Sequence, residues 1–136
     1  MKLFNLMLIG IFLISFFACK KYEEGPHLSF RTARHRLVHN WEVAQLLVNN
    51  IDSTSTVPAG YVEAYTKDHT VDYYSDNGGG SSTWRFRKDY TEIDRGGIIG
   101  IPSATLTILK LEENYFWFSY TYHGDKYEYR MKTHHK

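Results

Sequence analysis

Tyr115-Phe116-Trp117-Phe118-Ser119-Tyr120-Thr121-Tyr122-His123-Gly124-Asp125-Lys126-Tyr127-Glu128-Tyr129-Arg130-Met131-Lys132 is the stretch that decides the fold. Alternation puts Phe116, Phe118, Tyr120 and Tyr122 on one face and Tyr115, Trp117, Ser119 and Thr121 on the other. Beyond the turn at Gly124-Asp125 it resumes, with Tyr127, Tyr129 and Met131 opposed to Lys126, Glu128, Arg130 and Lys132. A period of two on both sides of a glycine turn is the pattern of an antiparallel hairpin. Its aromatic content suits a pleated, half-buried surface.

Working outward, the same reading recurs in short segments. Residues 104–111 alternate Leu106 and Ile108 with Thr105 and Thr107, and Glu112-Glu113-Asn114 supplies the next turn. Residues 83–87 place Trp84 and Phe86 inward and Arg85 and Arg87 outward, as in a sheet with one wet face. A tight Lys88-Asp89 turn leads into 90–93. Residues 61–66 and 70–75 form a hairpin across Lys67-Asp68-His69, with Tyr61 and Tyr65 on one face. Residues 41–49 are apolar on both faces, which reads as a buried strand, and Asn49-Asn50 and Asp52-Ser53 carry turn chemistry. Two connections are long. Residues 76–82, with three glycines, read as a flexible hairpin loop. Residues 94–103 carry Ile98, Ile99 and Ile101, which either form a lid or contact patch or tuck under the sheet, the preferred reading.

The expected fold class is all-β: a small antiparallel up-and-down β-barrel or half-barrel of about eight strands, the number at which a sheet closes around side chains or one small ligand. Arg36-Leu37-Val38-His39-Asn40-Trp41-Glu42-Val43, Thr83-Trp84-Arg85-Phe86 and Thr107-Ile108-Leu109-Lys110-Leu111 resemble the short lipocalin-like lipoproteins of Bacteroidota. Asn40 stands where that pattern usually has a glycine before the first tryptophan. The resemblance implies a lipocalin-like barrel or half-barrel, at most a binding function, and no established chemistry.

The N-terminus points to a membrane surface. Lys2, an apolar run over 3–18 and Ala18 at the cut have the layout of an export signal. Its sixteen residues, broken by Asn5, Gly10 and Ser15, are shorter than the roughly 20 that span a bilayer. Phe16-Phe17-Ala18-Cys19 resembles the lipobox of bacterial lipoproteins, which implies acyl chains on Cys19, including palmitate-type chains. Cys19 is the one cysteine, so no disulfide competes for it. The expected organisation is a signal peptide over 1–18, a lipidated Cys19 and tether over 19–40, and a lipocalin-like domain over 41–136. Lys20-Lys21-Tyr22-Glu23-Glu24-Gly25-Pro26 resembles a Bacteroidota surface-export tag and equally fits a solvated spacer. Residues 28–38 are expected as a short helix or an extended arm docking Phe30, Leu37 and Val38.

Composition narrows the function. Sixteen Lys and Arg stand against fifteen Asp and Glu, and loss of Lys2 with the leader leaves none in excess. A balanced chain lacks the clustered cations that nucleic acid requires. No nucleophile elbow places a serine for attack, and the seven histidines form no metal spacing. No enzyme activity, cofactor or metal is therefore expected. The expected role is a lipid-anchored protein of the bacterial outer membrane, on its periplasmic face or the cell surface. Two readings of the barrel stay open. Either it holds a small apolar or aromatic molecule, lined by Trp41, Trp84, Phe86, Trp117, Tyr120, Tyr127 and Tyr129, or these rings fill it and the domain is a structural or protein-interaction module. The anchor has a direct check: a Cys19→Ala variant is expected to lose acyl labelling and leave the membrane fraction, and retention of either contradicts the lipoprotein reading.

Overall fold

The computed structural model describes Tyr22 and residues 31–98 and 101–135. The leader, Cys19, Phe30, Ile99 and most of the tether lie outside them. Among the described residues no helix is long and apolar enough to cross a membrane.

A short helix α1 (Ala33–Leu37) precedes nine strands: β1 (Asn40–Val48), β2 (Ile51–Asp52), β3 (Val62–Tyr65), β4 (Thr70–Ser75), β5 (Gly78–Arg87), β6 (Glu92–Arg95), β7 (Ala104–Leu111), β8 (Tyr115–Tyr122) and β9 (Asp125–Thr133). Every pairing is antiparallel, in the order β2-β1-β3-β4-β5-β6-β7-β8-β9. β1 also pairs with β9 from Trp41↔Thr133 to Val48↔Tyr127. That contact turns the sheet into a closed eight-stranded up-and-down barrel, with β2 as an extra edge strand. Closure leaves few unpaired edges.

Two β-bulges explain why parts of the sequence looked apolar on both faces. Against β9 the register of β1 shifts between Val43 and Gln45, leaving Ala44 unpaired. Trp41 and Val43 point inward before it, and Leu46 and Val48 after it. β1 is thus not a strand buried on both sides but one whose inward face changes parity. β7 does the same between Ile108 and Lys110, so Leu106, Ile108 and then Leu111 are buried.

Turn chemistry fixes most of the hairpins. Asn49 and Asn50 both have positive φ (51° and 66°), as do His123 and Gly124 (51° and 91°), which suits two-residue turns that follow the strand twist. The three glycines expected in a loop instead begin β5, paired as Ser75↔Gly78, Tyr74↔Gly79 and Tyr73↔Gly80. The Tyr73 ring lies where a Cβ on Gly80 would sit, so a side chain there would displace it. The turn shrinks to Asp76 and Asn77. Between β5 and β6, Lys88, Asp89 and Tyr90 all take left-handed φ (43°, 52° and 68°) without a glycine, a conformation that is costly for ordinary side chains.

The ends are closed differently. At the end where β1 begins, Thr32 caps α1 by accepting the amide of His35. The fully buried Leu37 accepts the Trp41 indole N–H at 2.8 Å through its carbonyl. Arg36 donates to the Leu111 carbonyl at 2.7 Å. Residues 33–38 therefore belong to the folded unit and are not free tether. At the opposite end, Ile98 and Ile101 are buried and exchange two backbone hydrogen bonds of 2.9 Å, so this loop tucks in. The bulge gives a simple test. Leu46→Ala is expected to cost about 2–5 kcal/mol in chemical denaturation and its neighbour Leu47→Ala under about 1 kcal/mol; equal losses would remove the parity change.

Candidate functional site

The barrel interior is lined by rings. Trp41, Phe116 and Phe118 are fully buried and Trp84 nearly so. Trp41 lies 5.7 Å from Phe116, and Tyr65 sits between Phe116 (5.6 Å) and Trp84 (5.9 Å). Towards the mouth opposite α1 the rings become tyrosines stacked across β8 and β9. Phe118 lies on Tyr129 at 5.2 Å and 9°, and Tyr120 on Tyr127 at 5.1 Å and 6°. The cross-strand pairs Phe118↔Tyr129 and Tyr120↔Tyr127 impose that stacking.

One polar cluster interrupts the rings. Glu63, between Tyr61 and Tyr65 on β3, points inward with a fully buried side chain, as does Arg95 at the end of β6. One guanidinium nitrogen, Nη1, donates to both Glu63 oxygens at 3.0 and 3.1 Å. The Tyr61 hydroxyl donates to Oε1 at 2.8 Å and the Tyr65 hydroxyl to Oε2 at 2.9 Å. Nε and Nη2 of Arg95 have no acceptor among the described residues, and the guanidinium faces the Phe118 ring at 5.3 Å. Breaking such a pair leaves one buried charge uncompensated.

The environment keeps the phenols neutral. Burial, then the Glu63 carboxylate, pushes Tyr61 and Tyr65 well above their usual value of 10.0. Burial raises Tyr129 and takes Tyr120 up to about 12. Burial alone would lower Arg95, but Glu63 and the tyrosines outweigh it and hold the guanidinium charged.

Beside this cluster the mouth opens into a cavity of about 220 Å³ lined by Leu46, Val57, Tyr61, Ile101, Tyr127 and Tyr129, among others. It is bordered by apolar side chains and by Tyr61, Tyr127 and Tyr129. Tyr61 joins it to the buried pair, since its ring lines the cavity while its hydroxyl reaches Glu63.

Of the residues expected to line a ligand site, Tyr127 and Tyr129 border this cavity. Tyr120 stacks on Tyr127 from the adjoining strand. Trp41 and Trp84 are core residues; Trp84 donates its indole N–H to the Thr70 carbonyl at 3.0 Å. Phe86 packs half-buried near the α1 end, against Trp84 at 5.4 Å and Tyr90 at 5.0 Å. Trp117 is on the outer face, between Lys110 Nζ at 4.5 Å and the Arg130 guanidinium at 4.8 Å. That corrects its assignment to the interior: strand parity opposes Trp117 to Phe116 and Phe118, and cation–π contacts cover its ring. Cys19 lies outside the described residues.

Neither Glu63 nor Arg95 is among the residues that the sequence pattern assigns to the site. Glu63 shares the parity of Tyr61 and Tyr65, which was its signal. Arg95 shares that of the buried Ile93, but it follows the expected strand end at residue 93 and so falls in the connection read over 94–103. No group of three or more His, Cys, Asp or Glu among the described residues is placed to hold a metal. His134 instead bonds Glu42 at 2.7 Å.

The sequence matches no known family model and no curated protein.

Glu63→Gln or Arg95→Met alone is expected to cost about 3–5 kcal/mol by denaturation, and the double replacement with Glu63→Leu to recover much of it; additive losses would contradict the pairing. A second check is alkaline. Below pH 10 the phenols are neutral in both folded and unfolded chains. Above 10.0 the unfolded chain releases protons that the folded chain retains, so stability falls as pH rises. A Tyr61→Phe/Tyr65→Phe variant is expected to fall less steeply over the same range.

Proposed function

We propose that this protein is a lipid-anchored protein of the bacterial envelope, resembling lipocalin-like lipoproteins, whose barrel binds a small one-ring apolar or aromatic molecule at the mouth opposite α1. The observation that carries the binding reading is the tyrosine-rimmed cavity of about 220 Å³. It is smaller than the roughly 300–1,000 Å³ of drug-sized ligand sites. It exceeds the about 150 Å³ sufficient for benzene in an apolar cavity. One ring with a few substituents is therefore the size class. The stacked Tyr127 offers a planar wall, and the Tyr61 oxygen, whose proton is committed to Glu63, can accept a hydrogen bond from a ligand hydroxyl.

The lipobox-like Phe16-Phe17-Ala18-Cys19 supports the anchor, with outer-membrane placement as part of the same proposal. Two or more acyl chains give durable attachment where one gives only marginal binding.

A second reading has its own support. The rest of the interior is filled by Trp41, Trp84, Phe116 and Phe118, which suits a structural or protein-interaction module. The two separate in one experiment. Phenol and toluene are titrated into the purified full-length protein while Tyr ring resonances are followed by NMR, alongside a variant in which Val48, which also lines the cavity, is enlarged to fill it (Val48→Trp). Saturable shifts at Tyr127 and Tyr129 that Val48→Trp abolishes are expected; no saturable shift, or the same shift in the variant, refutes ligand binding.

A further inference from the structure

Tyr22 is the one described residue of the segment that follows Cys19, and it is 3% exposed within the core cluster. The Arg36 guanidinium lies 5.8 Å from its ring centroid. Burial raises its phenol, partly offset by Arg36. Through Arg36 and its bond to the Leu111 carbonyl, Tyr22 is seated at the α1 end of the barrel, where β7 terminates.

Only Lys20 and Lys21 separate Tyr22 from Cys19. Three peptide steps reach at most about 11 Å. A chain bound to a bilayer through Cys19 and seated through Tyr22 cannot hold its barrel at the end of a long leash. We infer that the α1 end of the barrel is a membrane-facing surface apposed to lipid headgroups, and that the tyrosine-rimmed mouth opens away from the bilayer. The inference rests on the acyl anchor at Cys19.

The surface at that end suits the position. Arg34 and His35 on α1, Lys67 in the β3–β4 turn and Lys88 in the left-handed turn are all exposed. Arg34 also donates to the Lys67 carbonyl, which ties α1 to that turn. Asp68, Asp89 and Glu113 are interspersed with these cations, so the apposition depends on chain length and not on a strong basic field. β9 alone, with nine residues, extends roughly 30 Å. The opposite mouth therefore stands well clear of the headgroups. It takes its one-ring molecule from the aqueous side, not from the acyl layer.

The test uses the full-length lipidated protein in vesicles containing acceptor-labelled phospholipid. Mass spectrometry first reads the acyl mass on Cys19. In the acylated protein the Cys19 sulfur already carries the lipid, so a donor dye is attached at Lys67→Cys or Glu113→Cys on the α1 end, or at Asn77→Cys or Lys126→Cys on the mouth end, and energy transfer to the lipids is compared. Stronger transfer from residues 67 and 113 than from 77 and 126 is expected, with loss of that difference in a Tyr22→Ala background. Acylated protein with equal transfer from both ends, or more from the mouth, overturns the orientation alone; an unmodified Cys19 overturns the anchor and the orientation with it.

Discussion

The pairing of β1 with β9 is the constraint on which the rest of the structure depends. It fixes the circumference at eight strands, and an eight-stranded barrel is just wide enough for its own side chains. Every inward residue must then fit a closed volume. The bulges at Ala44 and Leu109 follow from this, since each bends its strand and moves the apolar parity so that both halves face the interior. Without closure, Leu46 and Val48 would have no reason to share a side with Trp41.

A closed interior also sets the terms for Glu63 and Arg95. Two buried charges are costly, and their attraction offsets the cost only if their remaining hydrogen-bonding capacity is used. Tyr61 and Tyr65 supply this for the carboxylate, one hydroxyl to each oxygen. Tyr61 also connects the pair to the mouth, so the part of the barrel with the most exacting polar geometry borders the cavity. Packing thus divides the interior into an apolar half towards α1, filled by large rings, and a phenol-lined half that stays partly open.

Much of this was legible in the sequence because it depends on period-two alternation. The hairpin of β8 and β9, the inward Trp84 and Phe86, and the turns at Asn49-Asn50 and near Gly124 all follow from residue types and spacing. What was not legible depends on long-range closure. A bulge cannot be seen until its partner strand is known, so β1 looked buried on both faces. The glycines at 78–80 have loop chemistry, yet pairing with β4 and the Tyr73 ring hold them in a strand. Trp117 reads as a core residue by type, while its parity and the flanking Lys110 and Arg130 place it outside. Glu63 and Arg95 are far apart in sequence, and only the barrel brings them together.

Closure of the barrel through β1 and β9 is measured most directly by native-state amide hydrogen exchange. If β1 and β9 are joined as described, amides along 41–48 and 127–133 will exchange only through global unfolding, with the same free energy as those of β8. Rapid exchange along β1 by local opening, with β8 still protected, would make the molecule an open sheet and contradict a closed barrel.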